Sequence, residues 1–107
     1  MDIKSKILHN KLVEIKKKET TIRLFFRDGE SKQILRFEGL LFETPLSPLN
    51  KTVINVENSH ILGIKAVSQL RYENKNPNEY RQLLIQMDNF GEWKSELICV
   101  YKNVRFE

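Results

Sequence analysis

Histidine and cysteine, which commonly bind metals or take part in nucleophilic catalysis, are rare in this 107-residue sequence, which has two histidines and one cysteine. His9, His60 and Cys99 are far apart along the chain. A zinc site needs three or four His, Cys or carboxylate ligands at recognisable spacing, and these residues do not supply that pattern. Cys99 lies in the apolar run LICVY, where a buried, unreactive thiol is the usual outcome. We therefore predict no metal site and no cofactor.

Motifs that hold phosphate groups or activate a serine are not found either. The four glycines are dispersed and form neither GxGxxG nor a GxxxxGKS-type loop, which would cradle phosphates. No serine lies in a GxSxG turn, which would expose a nucleophile above a sheet. The sequence therefore predicts a protein that is not an enzyme and has no catalytic residues.

A basic and aromatic segment, RLFFR at 23–27, is typical of a nucleic-acid-binding strand. Alternate residues of a strand share one face, so Arg23, Phe25 and Arg27 are expected to project together. Aromatic rings placed between cations on a sheet stack on the bases of single-stranded nucleic acid. In the opposite interpretation, Phe25 packs under a loop or second sheet and the arginine stems cover it. Single-stranded nucleic-acid binding is thus the alternative function, and its candidate residues are Arg23, Phe25, Arg27, Lys16, Lys17 and Lys18.

The formal net charge of +4 comes from the N-terminal segment. Residues 1–18 contain six lysines against Asp2 and Glu14, whereas residues 19–107 contain twelve basic and twelve acidic side chains. Proteins that grip a nucleic-acid backbone usually spread cations over a face of the folded domain. A short lysine-rich segment is more often a solvated region. The charge distribution therefore favours a protein partner over nucleic acid.

Period-two patterns dominate the elements that must position these residues. The segment 21–27 places Ile22, Leu24 and Phe26 on one face and Arg23 and Arg27 on the other. The Asp-Gly pair that follows predicts a hairpin to a strand at 33–43. Gly39, inside that second run, predicts a bulge or a sharp bend. Further strands are predicted at 51–57, 80–88 and 95–106, and the polar residues 73–79 predict a loop.

The segment 60–72 fits both an extended and a helical pattern. Every third residue from Ile61 to Leu70 is apolar, as in a helix, but alternate residues from Leu62 onward are also apolar over part of the run. Gly63 would weaken a helix by about 1 kcal/mol, and the β-branched residues favour a strand. We therefore predict a strand here.

The N-terminal residues 2–18 are also compatible with either structure. Apolar residues from Ile3 to Ile15 follow helical spacing, and Asp2 is placed to cap a helix. The segment from Leu12 equally predicts a strand, a turn and a second strand, and we favour a strand from about Leu12 after a short lead-in. The overall prediction is a mainly β, single domain over residues 1–107: an antiparallel β-sandwich or open barrel of six to seven strands, with a short N-terminal helix as a variant.

Cellular location is predicted from cysteine content and hydropathy. A single cysteine allows no internal disulfide, which fits a reducing cytoplasm. No apolar run approaches the roughly 20 residues that span a bilayer. We expect a cytoplasmic protein that does not insert into a membrane.

Three short pieces resemble elements of a loose group of small bacterial β-proteins: Leu8-His9-Asn10 before the first strand, TIRLFF, and the final ICVYKNVRFE. Some proteins of that group are immunity proteins of bacterial toxin systems. The group has an acidic residue where this chain has Asn10, so the resemblance implies no His–carboxylate pair. His9 and Asn10 are expected instead to fix the start of the first strand by hydrogen bonding to the backbone.

The resemblance implies a non-enzymatic protein-binding module, such as an immunity-type inhibitor that covers a toxin. Inhibitors of nucleases tend to be acidic, and this chain is not, so a nuclease is a poor candidate for its target. Protein interfaces depend on a few aromatic, apolar or arginine anchors. The candidate anchors are apolar residues in predicted loops or at strand ends: Leu46, Leu49, Tyr80, Phe90 and Trp93.

Overall fold

The computed structural model describes residues 2–44, 51–59, 62–88 and 95–107. Within these ranges the chain forms eight strands and two α-helices. The strands are β1 (Lys11–Lys18), β2 (Thr21–Asp28), β3 (Ser31–Glu38), β4 (Phe42–Glu43), β5 (Lys51–Ser59), β6 (Arg81–Met87), β7 (Ser95–Tyr101) and β8 (Asn103–Phe106). The helices are α1 (Ile3–Ile7) and α2 (Ile64–Tyr72), and a 3-10 helix covers Pro77–Glu79.

The described strands form one antiparallel sheet in the order β4-β7-β6-β5-β1-β2-β3-β8. The prediction of a mainly β, antiparallel protein is confirmed. The predicted count of six to seven strands is wrong, because two of the predicted strands are each divided in two and the predicted strand at 60–72 is not formed. Gly39 ends β3 before β4 begins, and Lys102 separates β7 from β8.

Hairpins connect the first three strands. The Asp-Gly pair predicts the hairpin between β2 and β3, and the strand, turn and strand pattern from Leu12 predicts the one between β1 and β2. Asp28 ends β2 and Ser31 begins β3, and Gly29 in the turn has φ +58°. Glu19 has a left-handed φ of 56° in the turn between β1 and β2. These turns set the register of β1, β2 and β3, because a two-residue connection fixes which residues face each other.

The sheet curls, and Gly39 lies at the point where its ends approach each other. Only Lys102 separates β7, which pairs with β6, from β8, which pairs with β3. The Lys102 N–H donates to the Glu38 carbonyl over 3.0 Å. Gly39 has φ +64°, and a Cβ at this position would lie 2.8 Å from Lys102 Cβ. Glycine suits this position because it adopts a left-handed φ without strain and has no Cβ to clash with Lys102.

One hydrophobic core fills the inside of the curled sheet. Every strand from β1 to β7 except β4 contributes fully buried apolar side chains, among them Leu12, Leu24, Leu35, Ile85 and Leu97. Helix α1 contributes Ile3 and Ile7 to the same core. The alternate residues of β1, β2 and β3 consequently face outward, and these outward residues form the candidate site described below.

The segment 64–72 is a helix, so the predicted strand at 60–72 is wrong; residues 60 and 61 lie outside the described residues. Ala66 and Leu70, four residues apart, are buried on the face of α2 that packs with Tyr80 and Val100. Gly63 is the N-cap residue and not an interior one, so it does not impose the expected helix penalty. Burial of the Ala66–Leu70 face outweighed the β propensity of the sequence.

The N-terminal segment contains both structures that its pattern allows. Asp2 caps the five-residue helix α1, and its Oδ1 accepts a hydrogen bond from the Ser5 N–H over 3.2 Å. His9 follows with φ 69°, and its N–H donates to the Val53 carbonyl over 2.8 Å. Asn10 is buried, and its side-chain amide lies 3.4 Å from the Lys6 carbonyl. Asn10 therefore stabilises the start of β1 through its side chain, and His9 does so through its backbone.

Candidate functional site

The outward residues of β1, β2, β3 and β8 place four cations in a line across the sheet. Pairing sets Lys16 opposite Arg23, Arg23 opposite Arg36, and Arg36 opposite Arg105. Neighbouring strands are about 4.8 Å apart, so this arginine row, as we call Lys16, Arg23, Arg36 and Arg105, spans roughly 15 Å. Arg23 and Arg36 face outward because the residues on either side of each are buried in the core.

Phe25 lies next to the arginine row on the same outer face. Its ring is half-buried, with Lys16 Nζ 5.3 Å and Arg23 Cζ 5.1 Å from the ring centroid. Cations at these distances are attracted to the face of an aromatic ring. Phe25 also lines an open cleft of about 290 Å³ together with Val13 and Ile34. The ring is thus flanked by cations and still borders an open cleft.

Two carboxylates neutralise much of the arginine row. Glu107 Oε2 lies 2.6 Å from Arg23 Nη2, and its Oε1 lies 3.3 Å from Arg36 Nη1. Glu38 Oε1 lies 3.2 Å from Arg36 Nε, without a well-directed hydrogen bond, and 3.3 Å from an Arg105 nitrogen. The two hydrogen bonds from Arg23, followed by the one from Arg36, hold the pKa of Glu107 below its ordinary value. Three arginines and two carboxylates therefore alternate along the surface as a charge ladder.

The predicted N-terminal lysines are divided between two environments. Lys16, Lys17 and Lys18 are all exposed, and Lys16 Nζ lies 3.6 Å from a Glu14 oxygen. Lys17 pairs with Ile22 in the register, and its Nζ lies 2.5 Å from Glu43 Oε1 in β4. Lys16, with Arg23 and Phe25, therefore belongs to the outer face, whereas Lys17 is held by a carboxylate from a distant strand.

Of the predicted protein-binding anchors, Tyr80 alone lies within the described residues. It is 5% exposed, packs with Leu70 and Val100 beneath α2, and has Lys102 Nζ 5.5 Å from its ring centroid. A side chain buried in this way is not available as a surface anchor in the folded protein. Leu46, Leu49, Phe90 and Trp93 lie outside the described residues.

The residues considered for catalysis are not brought together. Cys99 is fully buried, and burial, aided by the negative charge of Glu43, raises the pKa of its thiol to about 12. His9 lies in an exposed turn, and His60 lies outside the described residues. Within the described ranges, no group of three His, Cys, Asp or Glu side chains is placed to hold a metal ion.

Several residues of this surface were not singled out from the sequence. Arg36, Arg105 and Glu107 occupy alternate positions of apolar strands, so period two could have placed each on an outer face. These side chains come together only because β3 pairs with β8. Arg36 and Glu107, for example, are 71 positions apart in the sequence. No local pattern specifies such a pairing.

Comparison with known proteins provides no family for this chain. The sequence matches no protein-family model, and neither a curated protein nor a solved structure is similar to it. In the described part of the chain, neither α-helix has the length and apolar composition needed to cross a bilayer.

Proposed function

We propose that the protein is a non-enzymatic binding module that takes up single-stranded nucleic acid on the outer face of β1, β2 and β3. The observation that carries the proposal is Phe25, an aromatic ring between the cations Lys16 and Arg23 beside an open cleft. The proposal treats the curled sheet as an open barrel, requires no cofactor, and places the protein in the cytoplasm, where a reducing environment would keep Cys99 a thiol.

The chemistry of a single strand suits this surface. Unpaired bases expose flat π-faces, which stack on aromatic side chains, and each phosphate carries a negative charge. Phe25 offers a ring, and Val13 and Ile34 extend the apolar surface beside it. A duplex hides its base faces within the stack and would use only the cations. We therefore expect single strands to bind more tightly than duplexes of the same length.

Replacing Phe25 by alanine should weaken binding by about 1–3 kcal/mol, because one base would lose its stacking partner. The measurement is fluorescence anisotropy with a labelled oligothymidine of about 12 nucleotides at low salt. Phe42→Ala is the matched control, since Phe42 is also half-buried and has a cation, Lys65 Nζ, 4.9 Å from its ring centroid. Phe42 lies in β4, at the far end of the strand order. Equal losses from both substitutions would contradict the proposed site.

A second candidate function is binding to another protein, such as an immunity-type inhibitor of a bacterial toxin. The observation that favours it is helix α2, on which Ile64 is 89% and Tyr72 is 91% exposed. The opposite face of α2 is buried through Ala66 and Leu70. Large apolar side chains that are almost fully exposed on a firmly packed helix are suited to act as interface anchors.

The double substitution Ile64→Ser and Tyr72→Ser should abolish capture of a protein partner and leave the fold intact, because neither side chain is buried. The measurement is a tagged pull-down from nuclease-treated host lysate, read by mass spectrometry against the unsubstituted protein. Arg71→Ser and Lys65→Ser provide a control on exposed residues of the same helix. A partner that both double variants retain would exclude α2 as the interface. A partner that is lost only after nuclease treatment would favour the nucleic-acid function.

A further inference from the structure

A second line of cations crosses the outer face on the other side of Phe25. Pairing sets Lys11 opposite Arg27 and Arg27 opposite Lys32. All three side chains are exposed. We call them the free basic row, because within the described residues none of them has an ion pair or a side-chain hydrogen bond. The arginine row, in contrast, is bound by Glu107, Glu38 and Glu14.

The free basic row is close enough to Phe25 to contact the same ligand. Arg27 follows Phe25 by two residues in β2, which corresponds to about 7 Å along a strand. Across β1, β2 and β3 the row spans roughly 10 Å. Lys11 and Arg27 also line an open cleft of about 250 Å³ with His9 and Val13. Val13 borders both this cleft and the cleft beside Phe25, so the two are adjacent.

The described acidic residues near the free basic row do not pair with its three cations. Asp28 lines the same cleft as Arg27, and Glu30 lies in the turn after it. Glu14 stands opposite Phe25 and its carboxylate contacts Lys16 over 3.6 Å. Asp28, the last residue of β2, and Glu30, in the turn, both lie beyond the row along the hairpin, whereas the three cations of the row are exposed and in register. A polyanion that crosses the strands at this level would meet cations on three neighbouring strands.

We propose that the free basic row is the phosphate-binding part of the surface and that the arginine row contributes little to it; this inference rests on the proposed nucleic-acid function. Affinity for nucleic acid arises largely from cations that neutralise phosphates and release their counterions. Arg23, Arg36 and Arg105 already have carboxylate partners, which a phosphate would have to displace. Lys11, Arg27 and Lys32 have no such competitor in the described structure. The bound strand therefore runs with phosphates on the free basic row and a base on Phe25.

The salt dependence of binding distinguishes the two rows. For a single strand, the logarithm of the binding constant falls with the logarithm of salt concentration with a slope of about 0.7 for each phosphate contact. Three contacts predict a slope of about 2 for the unsubstituted protein and a labelled oligothymidine. The double variant Arg27→Gln and Lys32→Gln should lower that slope by about 1.4 and weaken binding at least tenfold at low salt.

The matched control is the double variant Arg36→Gln and Arg105→Gln, a cross-strand pair on the same face that removes the same charge. We expect its salt slope to stay within about 0.3 of the unsubstituted value. Equal decreases in both variants, or a decrease in the control alone, would overturn the assignment of phosphates to the free basic row and leave the nucleic-acid function standing. If the unsubstituted protein binds no oligothymidine at low salt, the proposed function itself fails. Circular dichroism verifies that each variant is folded.

Discussion

Replacing Phe37 by alanine is expected to lower the free energy of unfolding by about 3–5 kcal/mol. Phe37 is 0% exposed, and its ring packs edge-on against Tyr101 with the centroids 4.8 Å apart. The substitution removes buried apolar area, leaves a cavity, and loses an aromatic pair that contributes about 0.5–1.5 kcal/mol beyond its area. Domains of this size are stable by about 5–15 kcal/mol, so the loss is a large share of the total.

The position of this pair in the fold explains why we expect little relaxation around the cavity. Phe37 lies near the end of β3, and Tyr101 is the last residue of β7. Their contact therefore forms where the curled sheet brings its two ends together. Gly39 and Lys102, which are in close approach directly beside the pair, restrict any inward movement of the backbone.

Urea unfolding followed by circular dichroism measures the effect. With a slope of about 2 kcal/mol per molar urea, the midpoint should fall by about 2 M. Phe106→Ala is a suitable control, because Phe106 is an aromatic residue of β8 that only partly enters the core. If Phe37→Ala destabilises the protein no more than Phe106→Ala does, the contact between β3 and β7 does not hold the sheet together.

Hairpins could be predicted from local sequence, because a tight turn depends on only a few adjacent residues. Asp28 and Gly29 predict a tight turn between two alternating runs, and the structure has one there. Gly39 likewise marks a bend, since its left-handed φ and its closeness to Lys102 exclude a side chain. Such signals do not report which distant strands pair, because that choice depends on burial over the whole sheet.

The segment 64–72 shows how tertiary packing overrides local propensity. Its β-branched residues favour a strand by a fraction of a kcal/mol each. In the structure, Ala66 and Leu70 are buried against Tyr80 and Val100, whereas Ile64 and Tyr72 are exposed. An alternating strand would have placed Ile64, Ala66, Leu70 and Tyr72 on one face together. The choice of helix therefore depended on a partner surface that the local sequence does not contain.

About half of the candidate site could be predicted from the alternation of side chains along a single strand. Arg23, Phe25 and Arg27 alternate in β2, so their shared face could be predicted from the sequence. Lys11 and Lys32 join Arg27 only through the pairing of three strands, and a bulge after Leu12 shifts the register along β1. The charge ladder needs Glu107, which is 84 positions from Arg23. These partners could not be assigned without knowing the register of the sheet.

The thiol of Cys99 should react with an aromatic disulfide reagent at least about 1000-fold more slowly in the folded protein than in the unfolded chain at pH 8. Burial, with a contribution from Glu43, raises its pKa from 9.0 to about 12, and three units correspond to a thousandfold smaller thiolate fraction. The thiolate is the reactive form, and β6 and β4 flank β7 on either side of this residue. Modification in native conditions should therefore require unfolding of β7.

The same pKa shift predicts how stability changes at alkaline pH. The folded-state pKa lies above the unfolded one, so the thiol in the unfolded chain ionises first. The contribution of the Cys99 thiol to the free energy of unfolding is fully present below pH 9 and falls as the pH rises from 9 towards about 12. Cys99→Ala should remove this dependence, so the stability difference between the two proteins should change between pH 9 and pH 11 and stay constant from pH 7 to pH 8.

A variant with an exposed thiol shows whether slow modification of Cys99 is caused by burial or by the reagent itself. On the Cys99→Ala background, Ser68→Cys places a thiol on the exposed side of α2, where it should react at nearly the rate of the unfolded chain. Slow modification of Cys99, accelerated by urea in step with unfolding, would show that opening of β7 limits the reaction. Rapid modification without urea would mean that β7 opens while the rest of the chain stays folded.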